Sequence, residues 1–332
     1  RMRKQKVCFV FLILSLCLTI VSILSILYGS KSIDMETLFD ALFTNKESFS
    51  ISVVQARIPR TLFGILAGAS LGVSGCLMQS ITRNPIADPS ILGINTGASL
   101  FVVVGIAFFS ISSPSQYIWL GFTGAMLTAI LVYGIASVGQ SGATPIKLAL
   151  AGAATSMALM SLVNTIMLPN SQVMDSFRFW QTGSIGGAKW NMILVLLPYF
   201  ILGLLLSFYL SSSLNTLALG DELATSLGIN SKKVRAMAAF AGVLLCGATT
   251  ALAGPIAFVG LMVPHIMRLL IGSNMHYLLP LSALGGSILL LGADIIGRVI
   301  ASPAELEVGI ITAILGAPVF IYIVRKVKIR SL

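Results

Sequence analysis

A chain of 332 residues with 56% hydrophobic and 10% charged residues, and a mean hydropathy of +0.97, excludes a soluble globular domain, in which about a quarter of residues are charged. The net charge of +10 does not point to nucleic acid, because the basic residues stand between apolar runs and near both ends of the sequence, where membrane anchoring puts them. The apolar runs are continuous and about 20 residues long, as bilayer-crossing helices require, which excludes a barrel of short alternating strands.

The predicted fold is therefore all-α: one polytopic membrane domain over residues 1–332 with ten transmembrane helices. Span one, residues 7–28, follows Arg1, Arg3, Lys4 and Lys6. It is too long for a signal-peptide core and is read as a retained helix. Residues 32–50 carry Asp34, Glu36, Asp40 and Glu47 with a helical period in Met35, Leu38, Phe39 and Leu42, which predicts an external helix lying on the membrane. Span two, residues 58–80, contains the overlapping patterns Gly64…Gly68 and Gly68…Gly72, which let a neighbouring helix approach closely. Pro85 and Pro89 then break the chain before span three at 91–110. Spans four and five are expected at 117–138 and 146–168.

Residues 172–190 mix Phe177, Phe179, Trp180 and Trp190 with Asp175, Arg178 and Lys189, the composition of a second interfacial helix. Span six is placed at 192–210 and span seven at 234–253. Between them lies a polar island, 212–235. Within it Asp221 is the predicted N-cap of a helix of about two turns, with Glu222 in the first turn, and Gly228 is the C′ residue that ends it. A mere connection needs no capped helix, so this one predicts a docking surface. A short span eight is bounded by Pro255 and Pro264, span nine covers 278–300 and span ten 307–324. The breaks around 84–97 and 254–264 stand at matching places in the two halves, a pointer to a transport pathway.

Fourteen basic residues fall on one side of this layout (Arg1, Arg3, Lys4, Lys6, Arg83, Lys147, Lys232, Lys233, Arg235, Arg268, Arg325, Lys326, Lys328, Arg330) and seven on the other. That bias predicts a cytoplasmic membrane protein with both termini inside, and puts the 212–235 island in the cytoplasm. Lys232, Lys233 and Arg235 read as its membrane anchor. The cysteines Cys8, Cys17, Cys76 and Cys246 lie in apolar runs without metal spacing. His265 and His276 read as structural, and Met157, Met160, Met167 and Met174 as packing residues. Arg298 follows Asp294 by one turn, and the two are expected to pair so that the buried carboxylate is neutralised. No phosphate-binding loop and no catalytic motif occurs. The chain is therefore expected to be no enzyme, and any ATP would be hydrolysed by a separate subunit.

Five stretches, in order, are similar to the FecCD-type permease subunits of bacterial iron-siderophore and cobalamin-type ABC importers. They are Arg57-Ile-Pro-Arg60-Thr-Leu, Asn84-Pro-Ile-Ala-Asp-Pro-Ser-Ile-Leu-Gly93, Leu219-Gly-Asp-Glu-Leu-Ala-Thr-Ser-Leu-Gly228, Gly254-Pro-Ile-Ala-Phe-Val-Gly-Leu-Met-Val-Pro-His265 and Leu315-Gly-Ala-Pro-Val-Phe320. The resemblance covers the whole chain. It implies two permease subunits, identical or homologous, two ABC ATPases and an extracellular substrate-binding protein. It implies no cofactor held by this chain, with ATP and Mg used by the ATPase. Leu219, Gly220, Asp221, Glu222, Leu223, Ala224, Thr225, Ser226, Leu227 and Gly228 would form the helix that couples to the ATPase. Arg57, Arg60 and Arg298 would receive acidic side chains of the binding protein. Asn84 and Ile86 match a cytoplasmic gate, and a second gate falls near Thr144, Pro145 and Ile146, where this chain departs from the small hydroxyl residues of the family pattern. The cargo implied is a ferric siderophore, with haem or cobalamin as alternatives. A secondary transporter driven by an ion gradient would need buried acidic residues in mid-span, and only Asp294 comes close.

Overall fold

The computed structural model describes residues 2–29, 31–43, 48–139 and 142–326. Arg1, Lys46, Glu47, Lys328 and Arg330 lie outside the described residues, as do the side chains of Arg3, Lys4, Leu42, Phe179 and Lys326. Among the described residues all regular structure is helical. Seven helices are long and apolar enough to cross a membrane: α1 (Met2–Leu27), α3 (Phe49–Ile81), α5 (Pro114–Ala136), α6 (Pro145–Met167), α8 (Trp190–Tyr209), α11 (Ser231–Ala253) and α13 (Met275–Ile300). Three shorter apolar helices, α4 (Ile94–Phe109), α12 (Val259–Ile271) and α14 (Val308–Lys326), complete the ten spans. The remaining helices are α2 (Met35–Phe43) and α7 (Ser171–Gln181) at one end of the bundle, here the upper end. α9 (Ser211–Leu217) and α10 (Asp221–Ser226) lie at the lower end.

The bundle is centred on α3 and α13. Gly68 and Gly286 face each other so closely that a Cβ on Gly68 would stand 2.4 Å from the Gly286 carbonyl oxygen, and one on Gly286 2.0 Å from that of Gly68. The glycine pattern thus does what it was expected to do, bringing two backbones together where van der Waals contact is the main attraction available in lipid. α3 is longer than predicted, 33 residues or about 50 Å. Its extra turns start at Ser48, whose side chain accepts from the Ile51 amide, and bury Val54 against Leu27 and Leu38. The external helix expected over 32–50 is consequently shorter. It opens at Asp34, which accepts from the hydroxyl and amide of Thr37, and the hydroxyl bond foremost holds the Asp34 carboxyl below its usual range.

The two interruptions are real, and they meet. After α3, residues 82–93 turn back through a 3-10 segment, Pro89–Leu92, before α4 starts. After α11, residues 254–258 turn back before α12 starts. Gly260, near the start of α12, lies against the first break and against α3: a Cβ there would stand 2.6 Å from the Pro89 ring and 2.9 Å from the Leu71 carbonyl oxygen. Both half-length helices therefore begin inside the bundle, where irregular backbone is tolerated because protein surrounds it. Phe258 caps α12 in a left-handed conformation (φ 71°) and its side chain lies on Gly316 and Phe320 of α14.

The expectation for 172–190 needs correction. α7 is a helix, but Phe177 and Trp180 are buried and packed on each other with ring centroids 5.8 Å apart, rather than spread on an interface. Asn170 caps it by accepting from the amides of Gln172 and Val173. Met157, expected to pack, is exposed on α6.

Candidate functional site

At the lower end the polar island folds as two short helices rather than one. α9 continues from α8, and its Ser211 hydroxyl hydrogen-bonds His276 Nδ1 at 2.9 Å while Asn215 bridges to Asn274. This gives His276 the structural place expected of it. Then comes α10. Its end is as predicted: Gly228 takes a positive φ of 81°, the Ile229 amide donates to the Ala224 carbonyl and the Gly228 amide to that of Thr225, the pattern in which glycine closes a helix. Its start is not. Gly220 occupies the N-cap position without a side-chain bond, and Asp221 is the first helical residue. The carboxylate is drawn away from the cap because two guanidinium groups hold it. Arg235 donates to both its oxygens at 2.8 and 3.1 Å, and Arg83 to one of them at 2.9 Å.

Arg235, expected to anchor the chain at the membrane surface, needs correction. It is 4% exposed, and its Nε donates to the Ile81 carbonyl at the end of α3. Lys232 and Lys233 remain exposed. Ala224 is fully buried beneath α10, whereas Leu219, Leu223 and Leu227, spaced four apart, are about 60% exposed. A small residue thus fits the helix against the body, and the three leucines in and beside it are left exposed.

The residues expected at the two gates occupy separate places. Asn84 accepts from the Ile86 amide through its side-chain oxygen, fixing a tight turn, and Ile86 packs with Leu261, Met262 and Ile323. Thr144 caps α6 by accepting from the Lys147 amide, Pro145 is the first helical residue, and Ile146 is exposed.

At the upper end lies a second charged cluster. The expected pair forms: Asp294 and Arg298 are 3.0 Å apart, each 1% exposed. A partner that was not foreseen joins them. Arg60 grips both Asp294 oxygens, from Nη2 at 2.7 Å and Nε at 3.2 Å, and its Nη1 reaches Glu305 at 2.7 Å. Nothing local could have announced this, because 234 residues separate Arg60 from Asp294. Two of the three arginines expected at an outer docking face need correction as free charges. Arg57 is buried and donates to the carbonyls of Ile26, Leu27 and Lys31, capping the end of α1. Arg298 donates to the carbonyl and hydroxyl of Ser25. In both cases the last turn of α1 has carbonyls without intrahelical partners, and the guanidinium groups satisfy them. Only Arg60, at 12% side-chain exposure, reaches the surface, beside Glu305 at 38%.

Comparison with known proteins agrees with this architecture. The model of the FecCD transport family matches residues 17–326. The chain is 42% identical over 315 residues to the ferric enterobactin transport system permease protein FepD of Escherichia coli (strain K12), covering 94% of each chain. It is 46% identical over 282 residues to the Fe(3+)-citrate import system permease protein YfmD of Bacillus subtilis (strain 168), covering 85% of this chain and 83% of the other. A solved structure presented as the inward-facing conformation of a metal-chelate type ABC transporter superposes with a TM-score of 0.84 at 28% identity, over 97% of this chain and 100% of that one.

Proposed function

The chain belongs to the FecCD transport family, and from that premise we propose that it is the membrane-spanning permease subunit of an ATP-driven importer that carries a ferric siderophore into the cell by alternating access. The relatives named for ferric enterobactin and ferric citrate support that cargo class over haem or cobalamin. In this reading residues 1–332 are one permease domain with the lower end in the cytoplasm. Two ABC ATPases bind there, a second permease stands alongside, and a substrate-binding protein docks above.

One observation carries the coupling assignment. Leu223 on α10, Leu219 just before it and Leu227 at its C-cap are three large apolar side chains left exposed outside the spans, and apolar surface gathered in water marks a protein contact. The coupling surface is Leu219 through Gly228, with Asp221 facing inward and the leucines facing the ATPase. Asn84 and Ile86, with Thr144, Pro145 and Ile146, stand at the inner mouth of the pathway as its gates. Docking from above centres on Arg60 and Glu305, with Arg57 and Arg298 holding the surface from behind.

The test is biochemical. Leu223→Asp with Leu227→Asp should abolish co-purification of the ATPase while the permease still inserts and remains monodisperse in detergent. Retained association refutes the coupling assignment. For cargo, a deletion strain complemented with this chain should take up labelled ferric siderophore; uptake of haem or cobalamin in its place overturns the siderophore reading.

A further inference from the structure

Resting on that coupling reading, the structure assigns Arg83 and Asp221 a positioning role in transport: their ion pair is the arm by which movement of α10 reaches the end of α3 and the loop 84–88. Three observations converge on it.

The first is backbone. α3 ends at Ile81 with Thr82 as its cap; the Arg83 amide donates to the Ser80 carbonyl and the Asn84 amide to that of Gln79. This is the same closing pattern that Gly228 makes at the end of α10, and it needs a left-handed residue at the C′ position. At α10 that residue is glycine. At α3 it is Arg83, with φ 50°, a conformation that a residue with a side chain adopts only under strain. A helix end that glycine would close more cheaply carries a side chain, so the side chain has another use.

The second is where that side chain goes. Arg83 Nη2 donates to Asp221 Oδ1 at 2.9 Å and lies 3.3 Å from the Leu217 carbonyl oxygen, gripping both ends of the α9–α10 turn. Arg235 completes the joint from α11, holding Asp221 with one arm and the Ile81 carbonyl with another. The third is the next stretch of chain. Asn84 begins the loop whose Ile86 packs against α12 and α14. A shift of α10 is thus passed through one carboxylate to the residue that precedes this loop, with no flexible linker in between.

The experiment uses the assembled importer with its ATPase and binding protein in liposomes, reading transport per ATP hydrolysed and the thermal midpoint of the purified complex. Arg83→Gly is the decisive variant because it relieves the backbone while removing the arm. The proposal expects an unchanged or raised midpoint together with at least a tenfold fall in uptake per ATP. Asp221→Asn should give the same fall, and Asp221→Glu should recover uptake per ATP to within twofold. A lowered midpoint with uptake per ATP retained in Arg83→Gly makes the pair a simple structural tie and overturns the proposal. Loss of the ATPase from the complex in Asp221→Asn also overturns it, by making Asp221 a contact residue. Failure of the leucine variants to release the ATPase sinks the coupling reading instead, so the two failures are told apart. Should Asp221→Asn misfold, Arg83→Gly, at a 40% exposed side chain, decides by the same criteria.

Discussion

The two ends of the molecule carry the same chemical device in different surroundings. At each, one carboxylate lies between two arginines from different parts of the chain: Asp294 between Arg60 and Arg298 above, Asp221 between Arg83 and Arg235 below. The upper carboxylate is 1% exposed and the lower 44%. Burial changes what the device does. A carboxylate enclosed in protein cannot exchange its partners for water, so the upper triad is a permanent joint between α3 and α13, with α1 tied in through Ser25. A half-exposed carboxylate is open to water, so the lower triad is an exchangeable joint. Identical residue types therefore do not imply identical roles, and the difference is measurable.

The largest effect is expected from Asp294→Asn. It leaves buried Arg298 without a counter-charge and Arg60 with Glu305 alone, and breaking a buried pair from one side costs about 3–5 kcal/mol. The folded yield in membranes should collapse, or the thermal midpoint in detergent fall steeply. Asp221→Asn should cost distinctly less, because the lower carboxylate is half exposed and buried Arg235 keeps its bond to the Ile81 carbonyl. Equal losses in the two variants would erase the distinction between a permanent joint and an exchangeable one.

Ser25→Ala should fall between them. It removes the hydroxyl that receives Arg298 and that also lies 2.9 Å from the Thr61 hydroxyl, both in buried surroundings where an unmade bond costs about 1–3 kcal/mol. The expected result is a partial loss of thermal stability with folding retained. A neutral outcome would mean that Arg298 depends on Asp294 and the Ser25 carbonyl alone.

Much of this architecture is legible in the sequence, and the limit has a physical form. What repeats along one helix can be read: the long apolar runs, the glycine spacing on α3, the Asp294–Arg298 pair one turn apart, the glycine closing α10. The paired breaks at 84–97 and 254–264 are also visible, since proline and glycine act locally. What depends on another helix cannot be read. Arg60 finds Asp294 across 234 residues, Arg57 finds the end of α1, and Arg235 finds Asp221 across 14 residues that fold back through a turn. Local rules offer an arginine at a span end only two uses, as a membrane anchor or a docking charge; these long side chains reach inward instead. Asp221 shows the same limit. It is a good capping residue by local preference, and two guanidinium groups override that preference.

Salt separates the clusters in a finer way. At about 1 M salt the screening length falls to roughly 3 Å, and exposed charges lose most of their interaction while buried ones keep theirs. The stability difference between the parent and Asp221→Asn should shrink between about 0.1 and 1 M salt by the share that exposed Arg83 contributes. A conservative lesion of the upper joint such as Asp294→Glu should show a deficit that salt leaves unchanged. Parallel salt dependence in both would place the lower carboxylate in a drier setting than its 44% exposure indicates.

The smallest stability effect belongs to Glu305→Gln. Glu305 is the outermost member of the upper cluster and meets Arg60 Nη1 at a partly exposed site, so its pair contributes about 0.2–1 kcal/mol. Arg60 keeps its two bonds to Asp294 when Glu305 is neutralised, and the thermal midpoint should barely move. Docking should move more. If a binding protein docks on this face as proposed, Arg60 Nη1 becomes available to its incoming carboxylate once Glu305 is neutral, and affinity measured on immobilised permease should rise about threefold or more. A fall in affinity would instead make Glu305 itself the docking charge, paired with a basic residue of the binding protein, and the upper cluster would then offer its partner a negative rather than a positive face.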